Sequence, residues 1–343
     1  MRRFWLSRTL SLGIVLATTA VRAANPLSSK LWTLVGCDNV DLDSLISDVT
    51  KLADAAISSI NNIVDGAVIG ADDGSTAWFH ARNAMIFWGL LGTFSDDQKQ
   101  LHFEGNDLAI LNKVKDKYQG IVSALLGGYW SPNYNWVFCK PDQQPYPFVK
   151  ATVVKDFVNN MPADIQDKPL SDFNIPDNVY YPDAGFSINA NDPSQNGRRR
   201  IGLIGSDPNV CNVADSPAAF IYLQEHDSTT HWMALCNVFY NSPATVGPNL
   251  PDDAFNLDIY KSQASQLLHE LMHFRWSDVT DYYGRIGSMT KDDHFYGSAG
   301  CAALGDDSNR AMANADNYRL FAEASYLQPR RWEVDPKKLG QSK

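Results

Sequence analysis

The feature that most constrains this chain is the run "SQLLHELMHFRW", residues 265–276. Ala264, Leu267, Leu268, Leu271 and Met272 recur at helical spacing, so the segment reads as an amphipathic helix with its apolar face on a core. The helix is expected over 257–276, with Ile259 on the same face. It contains H-E-x-x-H. His269 and His273 lie four apart, stack on one side of a helix and can aim both imidazoles at one ion. Glu270 does not fit the same tetrahedron. It is placed to take a proton from a water on a zinc ion and return it to the leaving amine. In a chain of this composition such a match arises by chance about 0.002 times. One catalytic zinc ion is therefore a stronger reading than two histidines that merely pack.

Two imidazoles leave the ion in need of a third protein ligand. A His six residues after His273 is absent, because position 279 is Val. The candidates are carboxylates: Asp278 near the helix end, Asp281 in "VTDYYG", Asp293 in "MTKDDHFYG" and Glu323 in "LFAEASY". The spacing alone does not choose among them.

The rest of the chain sets the context. Its 343 residues, 44% of them hydrophobic, suffice for one large core or two modest ones. A net charge of −10 without any extended basic stretch argues against nucleic acid as a partner. Arg2 and Arg3, the apolar run 10–21 and the small residues of "VRAA" read as a secretory signal over residues 1–24. No later stretch is apolar for long enough to span a membrane, so the mature chain is expected to be extracellular. Secretion makes disulfides the expected fate of Cys37, Cys139, Cys211, Cys236 and Cys301, with one left over. "GRRR" at 197–200 reads as a solvated basic loop or a processing site.

Periodicity predicts helices over 44–64, 76–91 and 107–126, the first capped by Asp41 or Asp43 and the third ended by Gly127 and Gly128. Residues 129–209 are rich in Pro, Asn, Asp and Tyr and read as loops with short strands such as "FVKATVV" (148–154). Strands are expected at 220–223 and 232–240, and a last helix from a cap at Asp307 or Ser308 to about Leu327.

Several of these segments together resemble the aspzincins, the deuterolysins and peptidyl-Lys metalloendopeptidases. That family combines H-E-x-x-H with G-T-x-D-x-x-Y-G, whose Asp is the third zinc ligand. "LLHELMH" supplies the first motif, and Asp293-His294-Phe295-Tyr296-Gly297 reproduces D-x-x-Y-G with Thr290 shortly before. "MANADNYRLFAEASYL" (312–327) resembles the family's terminal helix, and "LCNVFYNSP" (235–243) and "GCDNVDLDSLISDVTKLADAA" (36–56) resemble two further family segments. The resemblance spans about residues 33–328, broken by an insertion within 140–210.

The resemblance implies a zincin-like α+β fold, helix-dominated, with a small sheet beside the active-site helix. It implies a single catalytic domain over residues 25–343. Asp293 would be the third ligand, ahead of Asp281, and Tyr296 or Tyr240 would stabilise the oxyanion. Asp316 would lie near the S1′ pocket, where an acid favours a basic substrate side chain; the alternative for Asp316 is a helix-surface or buried hydrogen-bonding acid. Cys37–Cys139 and Cys211–Cys236 would be the disulfides. The implied activity is that of a secreted zinc metalloendopeptidase acting on proteins or peptides. The alternative is an inactive zincin scaffold that serves as a secreted binding protein.

Overall fold

Leu45, Val49, Leu52, Ala56, Ile60 and Ile63 share one face of a helix, and all six are buried in the computed structural model of the chain. The structure describes residues 27–65, 69–70, 74–95, 100–130, 135–139, 148–150, 152–153, 162–173, 179–182, 203–204, 211, 219–223, 231–245, 247, 250, 256–285, 292–327 and 329–332. The expected signal at 1–24, the "GRRR" run and most of the 140–210 insertion lie outside the described residues.

Helix α1 (Ser28–Leu31) leads into strand β1 (Thr33–Val35) and the long α2 (Leu42–Asp65). Asp41 Oδ1 accepts from the Ser44 amide at 3.1 Å, while Asp43 accepts from the amides of Leu27 and Ser28. Strand β2 (Ile69–Gly70), helix α3 (Thr76–Trp88), strands β3 (Thr93–Phe94) and β4 (Gln100–His102) and helix α4 (Asn106–Ser123) follow. The backbone widens after α4 and turns at Gly127, whose φ of 98° no side-chain-bearing residue adopts cheaply.

Next come β5 (Asn135–Cys139), β6 (Phe148–Lys150), β7 (Val179–Pro182), β8 (Leu203–Ile204), β9 (Ala219–Leu223) and β10 (His231–Leu235). The last third holds α5 (Asn237–Tyr240), α6 (Gln263–Arg275), β11 (Tyr283–Gly284), β12 (Asp293–His294), α7 (Gly297–Leu304), α8 (Ser308–Met312) and α9 (Ala315–Tyr326). The architecture is α+β with helices dominant and small sheets.

The main sheet has the order β1-β5-β10-β9. Strands β1, β5 and β10 run parallel, and β9 closes the edge antiparallel to β10. Disulfides Cys37–Cys139 and Cys211–Cys236 tie down the C-terminal ends of β5 and β10, and Cys301 is free and buried. This is the pairing that the resemblance implied.

Helix α6 lies between the sheet and the helices, packed against β9, α2, α4 and α9. Leu267, Leu268, Leu271 and Met272 are buried there, each worth roughly 1.5–3 kcal/mol in removed apolar surface. Behind them Trp88, Tyr118, Tyr318 and Phe321 form one ring cluster. No helix of the described residues is long and apolar enough to cross a membrane.

Four boundaries differ from the sequence reading. The motif helix starts at Gln263, because Ser262 caps it; 257–260 form a separate 3₁₀ turn, and Ile259 is 67% exposed. The strand at 232–240 stops at Leu235, and α5 follows directly. Among the described residues of "FVKATVV", 148–150 pair with β7 and Val153 bridges Pro169. The last helix is two, α8 and α9, because Asn314 leaves the helix to pair with Thr280.

Candidate metal centre

Helix α6 begins at a reciprocal cap. Ser262 Oγ accepts from the Ser265 amide at 3.1 Å, and Ser265 Oγ accepts from the Ser262 amide at 3.0 Å. With the core face fixed by the leucines, His269, Glu270 and His273 fall on the same adjoining stripe. His269 and Glu270 are nearly buried, at 9% and 8% exposure.

Each imidazole is oriented by its Nδ1. His273 Nδ1 donates to the Val279 carbonyl at 2.9 Å, and His269 Nδ1 donates to Asp316 Oδ1 at 3.1 Å. Both Nε2 atoms are left facing each other, 3.2 Å apart. Asp281 Oδ1 lies 3.1 Å from the first and 3.3 Å from the second. Two ligands of a tetrahedral zinc, each about 2.0–2.1 Å from it, stand about 3.3 Å apart. The three donor atoms thus form a triangle the size of one face of that tetrahedron. Two imidazoles and a carboxylate are also the donor chemistry that zinc takes in catalytic sites. The residues fit the ion, and among the described residues they form a group whose ligand atoms all lie within 4.8 Å of one another.

Among the described residues Asp281, and not the expected Asp293, is the carboxylate that stands with the two histidines in this group. Asp293 sits in β12 opposite Gly284, its Oδ1 accepting from the His294 amide at 2.8 Å. The physical reason is that D-x-x-Y-G is discontinuous here. Asp281 and Tyr282 begin it just before β11, and Phe295, Tyr296 and Gly297 complete it just after β12. The Phe295 amide donates to the Tyr282 carbonyl at 3.2 Å and the two rings touch, so the halves join across the base of a β-hairpin. Asp293-His-Phe-Tyr-Gly matches the motif only because β12 happens to begin on an aspartate.

Helix α9 and the residues before it hold this junction together. Thr280 pairs with the 313–315 backbone on both sides: its amide donates to Ala313 O at 2.7 Å, and its carbonyl accepts from the Ala315 amide at 2.9 Å. Asn314 Oδ1 accepts from the Tyr282 amide at 3.0 Å, and its Nδ2 donates to Phe295 O at 3.1 Å. One buried amide thereby joins both halves of the split motif. Gly297, at φ 71°, gives its amide to Asp316 Oδ2.

Asp316 has the buried hydrogen-bonding role and not the substrate-binding one. It is 4% exposed, and its two oxygens serve His269, Gly297 and the Arg319 guanidinium, whose Nε is 2.6 Å from Oδ1. Burial would raise its carboxyl, but Arg319 and His269 hold it well below the usual carboxylate range. Arg319 also donates to Glu323 Oε2 at 3.0 Å. Burial pushes Glu323 up to about 7, with Arg319 pulling the other way. Glu323 thus belongs to the support of Asp316 and not to the metal group.

The metal group itself is strongly polarised. Burial would lower His269, but hydrogen bonds to Asp281 and Asp316 outweigh it and push it up to about 10. Asp281 is held below its ordinary range, because the two imidazoles beside it outweigh the effect of burial. Burial raises Glu270, against the pull of His269 and His273. Tyr296, half exposed, has its ring 6.3 Å from that of His269 and its phenol hydrogen-bonded to the Asp281 carboxylate. Partial burial and that carboxylate raise its pKa, which keeps the proton on. Tyr240 ends α5, partly buried against the core with its ring on Phe239.

Sequence reading assigned no role to Asn314 or Arg319. Their signal was the string "NADNYRLFAE" itself, whose first and sixth residues reach the junction and Asp316.

Residues 203–323 match the family model of the aspzincins, described as lysine-specific metallo-endopeptidases. The match covers α6, the split motif and α9 as far as Glu323. No curated protein and no solved structure matches the chain. Residues 203–323, which carry His269, Glu270, His273, Asp281 and Tyr296, are thus similar to the aspzincin metallo-endopeptidases.

Proposed function

We propose that the chain is a secreted zinc metalloendopeptidase. His269, His273 and Asp281 hold one zinc ion, and Glu270 is the general base. The observation that carries this reading is the triangle of two Nε2 atoms and Asp281 Oδ1, with edges of 3.1–3.3 Å. When bound, zinc supplies Lewis acidity, lowering the pKa of a water to about 7 and polarising a carbonyl.

The chain's own groups do the rest. Asp316 and the Val279 carbonyl lock the imidazoles in the tautomer that leaves each Nε2 lone pair free for the ion. Glu270, buried and raised in proton affinity, takes a proton from the attacking water and delivers it to the leaving amine. Tyr296, kept protonated, donates a hydrogen bond to the scissile carbonyl oxygen as charge develops on it. Strand β9, antiparallel at the sheet edge and packed on α6, offers its backbone to an extended substrate in a zincin-like arrangement.

The substrates proposed are proteins or peptides. A preference for basic side chains rests on the family's description, since Asp316 has both oxygens engaged. The leader-like N-terminus and the two disulfides support secretion. The alternative, an inactive scaffold, is motivated by the altered stretch between His273 and Asp293 and by the insertion within 140–210; reading Asp281 as the third ligand removes the first of these motives.

The test is zinc content by elemental mass spectrometry together with hydrolysis of casein or protamine. About one equivalent of zinc is expected. Glu270→Gln should keep the zinc and lose about 100- to 10,000-fold in kcat/KM. Proteolysis undiminished by Glu270→Gln, or less than about half an equivalent of zinc in native protein, contradicts the reading.

A further inference from the structure

Strands β11 and β12 carry a ring stack that leads into the site. Tyr283 and His294 are cross-strand partners with ring centroids 4.9 Å apart. His294 lies almost parallel to Tyr296, with centroids 5.4 Å apart and planes 19° apart. Tyr296 in turn reaches Asp281 through its phenol and approaches His269 through its ring.

Tyr296 itself is only half buried, so the protein around it does not fix its ring from every side. Its χ1 rotation decides whether the phenol stays beside the Asp281 carboxylate or swings to solvent. The face of His294 covers one side of the ring, and Tyr283 backs His294 in turn. A contiguous D-x-x-Y-G would have no such wall, because the wall is built from the residues that interrupt the motif.

We propose that His294 is a positioning residue: it stacks on Tyr296 and holds the phenol in the direction needed to stabilise the transition state. This role rests on the peptidase reading above. It depends on the ring's flat face and not on its charge, so another flat ring substitutes for it. An aromatic pair of this kind contributes enough to change a rate about three- to tenfold.

The test is a double-mutant cycle on purified, zinc-loaded protein. His294→Ala should lower kcat about three- to tenfold while KM and zinc content stay within about twofold. It should weaken binding of a phosphonamidate peptide, a tetrahedral transition-state mimic, by a similar factor in calorimetry. His294→Phe should restore both. In a Tyr296→Phe background, His294→Ala should change kcat no further. The role is overturned if Phe fails to rescue, or if the loss persists undiminished without the Tyr296 hydroxyl. His294 is exposed, and His294→Gln, which removes the ring but keeps a polar side chain, must behave like the alanine variant. A wild-type protein that takes up zinc and cleaves peptides while His294→Ala is indifferent overturns this role alone. A wild type that takes up no zinc and cleaves nothing overturns the peptidase reading and this role with it.

Discussion

Helix α6 and the segment from Trp276 to Gly297 supply the two halves of one site by opposite means. In α6 the two histidines and the glutamate are placed by a single helical period, and a reciprocal serine cap and four buried apolar residues fix the phase. In the second segment the metal carboxylate and the tyrosine stand fifteen residues apart (296 − 281) and meet only because Tyr282 and Phe295 pair across a hairpin base. The first half is a local property of the chain. The second is held from outside by Asn314, Ala313 and Ala315. The comparison teaches that residues far apart in the chain can complete one site where the fold lays their flanking segments side by side.

The two halves should break differently. His273→Ala removes a ligand from the rigid half, and elemental analysis should find zinc lost and proteolysis abolished, an effect larger than any below. Asp316→Asn removes the charge that orients His269, and zinc affinity measured by competition with a chelator should fall about 10- to 100-fold. Asn314→Ala acts on the second half: it strips partners from Tyr282 N and Phe295 O, and also from Asn317 Oδ1, costing about 1–3 kcal/mol for the buried groups left unpaired, which thermal unfolding would register. The smallest effect on metal is expected from replacing 283–294 by a Gly-Gly turn. Zinc uptake should persist because the ligands lie outside the loop, while the rate falls about three- to tenfold through loss of the His294 stack.

The same contrast explains what was legible in the sequence. H-E-x-x-H, the apolar phase of α6 and the long α2 follow from periodicity, which any local window shows. Asp307 was recognisable as a cap, since its carboxylate meets the amides of Asn309 and Arg310 within three residues. The third ligand was not legible, because choosing between Asp281 and Asp293 requires knowing that β11 and β12 pair. Contiguity favoured the complete D-x-x-Y-G string, whereas distance in the fold favours Asp281. Asp316 was found, but its sequence context did not choose between a place near S1′ and the buried, hydrogen-bonded one that the structure gives it. Its burial depends on Arg319 one helical turn later and on the Gly297 amide from another element. The break at Ala313–Asn314 was hidden for the same reason, since the residue that interrupts the helical pattern does so to satisfy a strand elsewhere.

The most direct test is the zinc stoichiometry and affinity of Asp281→Asn against Asp293→Asn, measured side by side on purified, folded protein. The expected result is that Asp281→Asn loses tightly bound zinc and Asp293→Asn retains about one equivalent with unchanged affinity. Retention by Asp281→Asn with loss by Asp293→Asn would contradict the split motif and return the third ligand to the contiguous one.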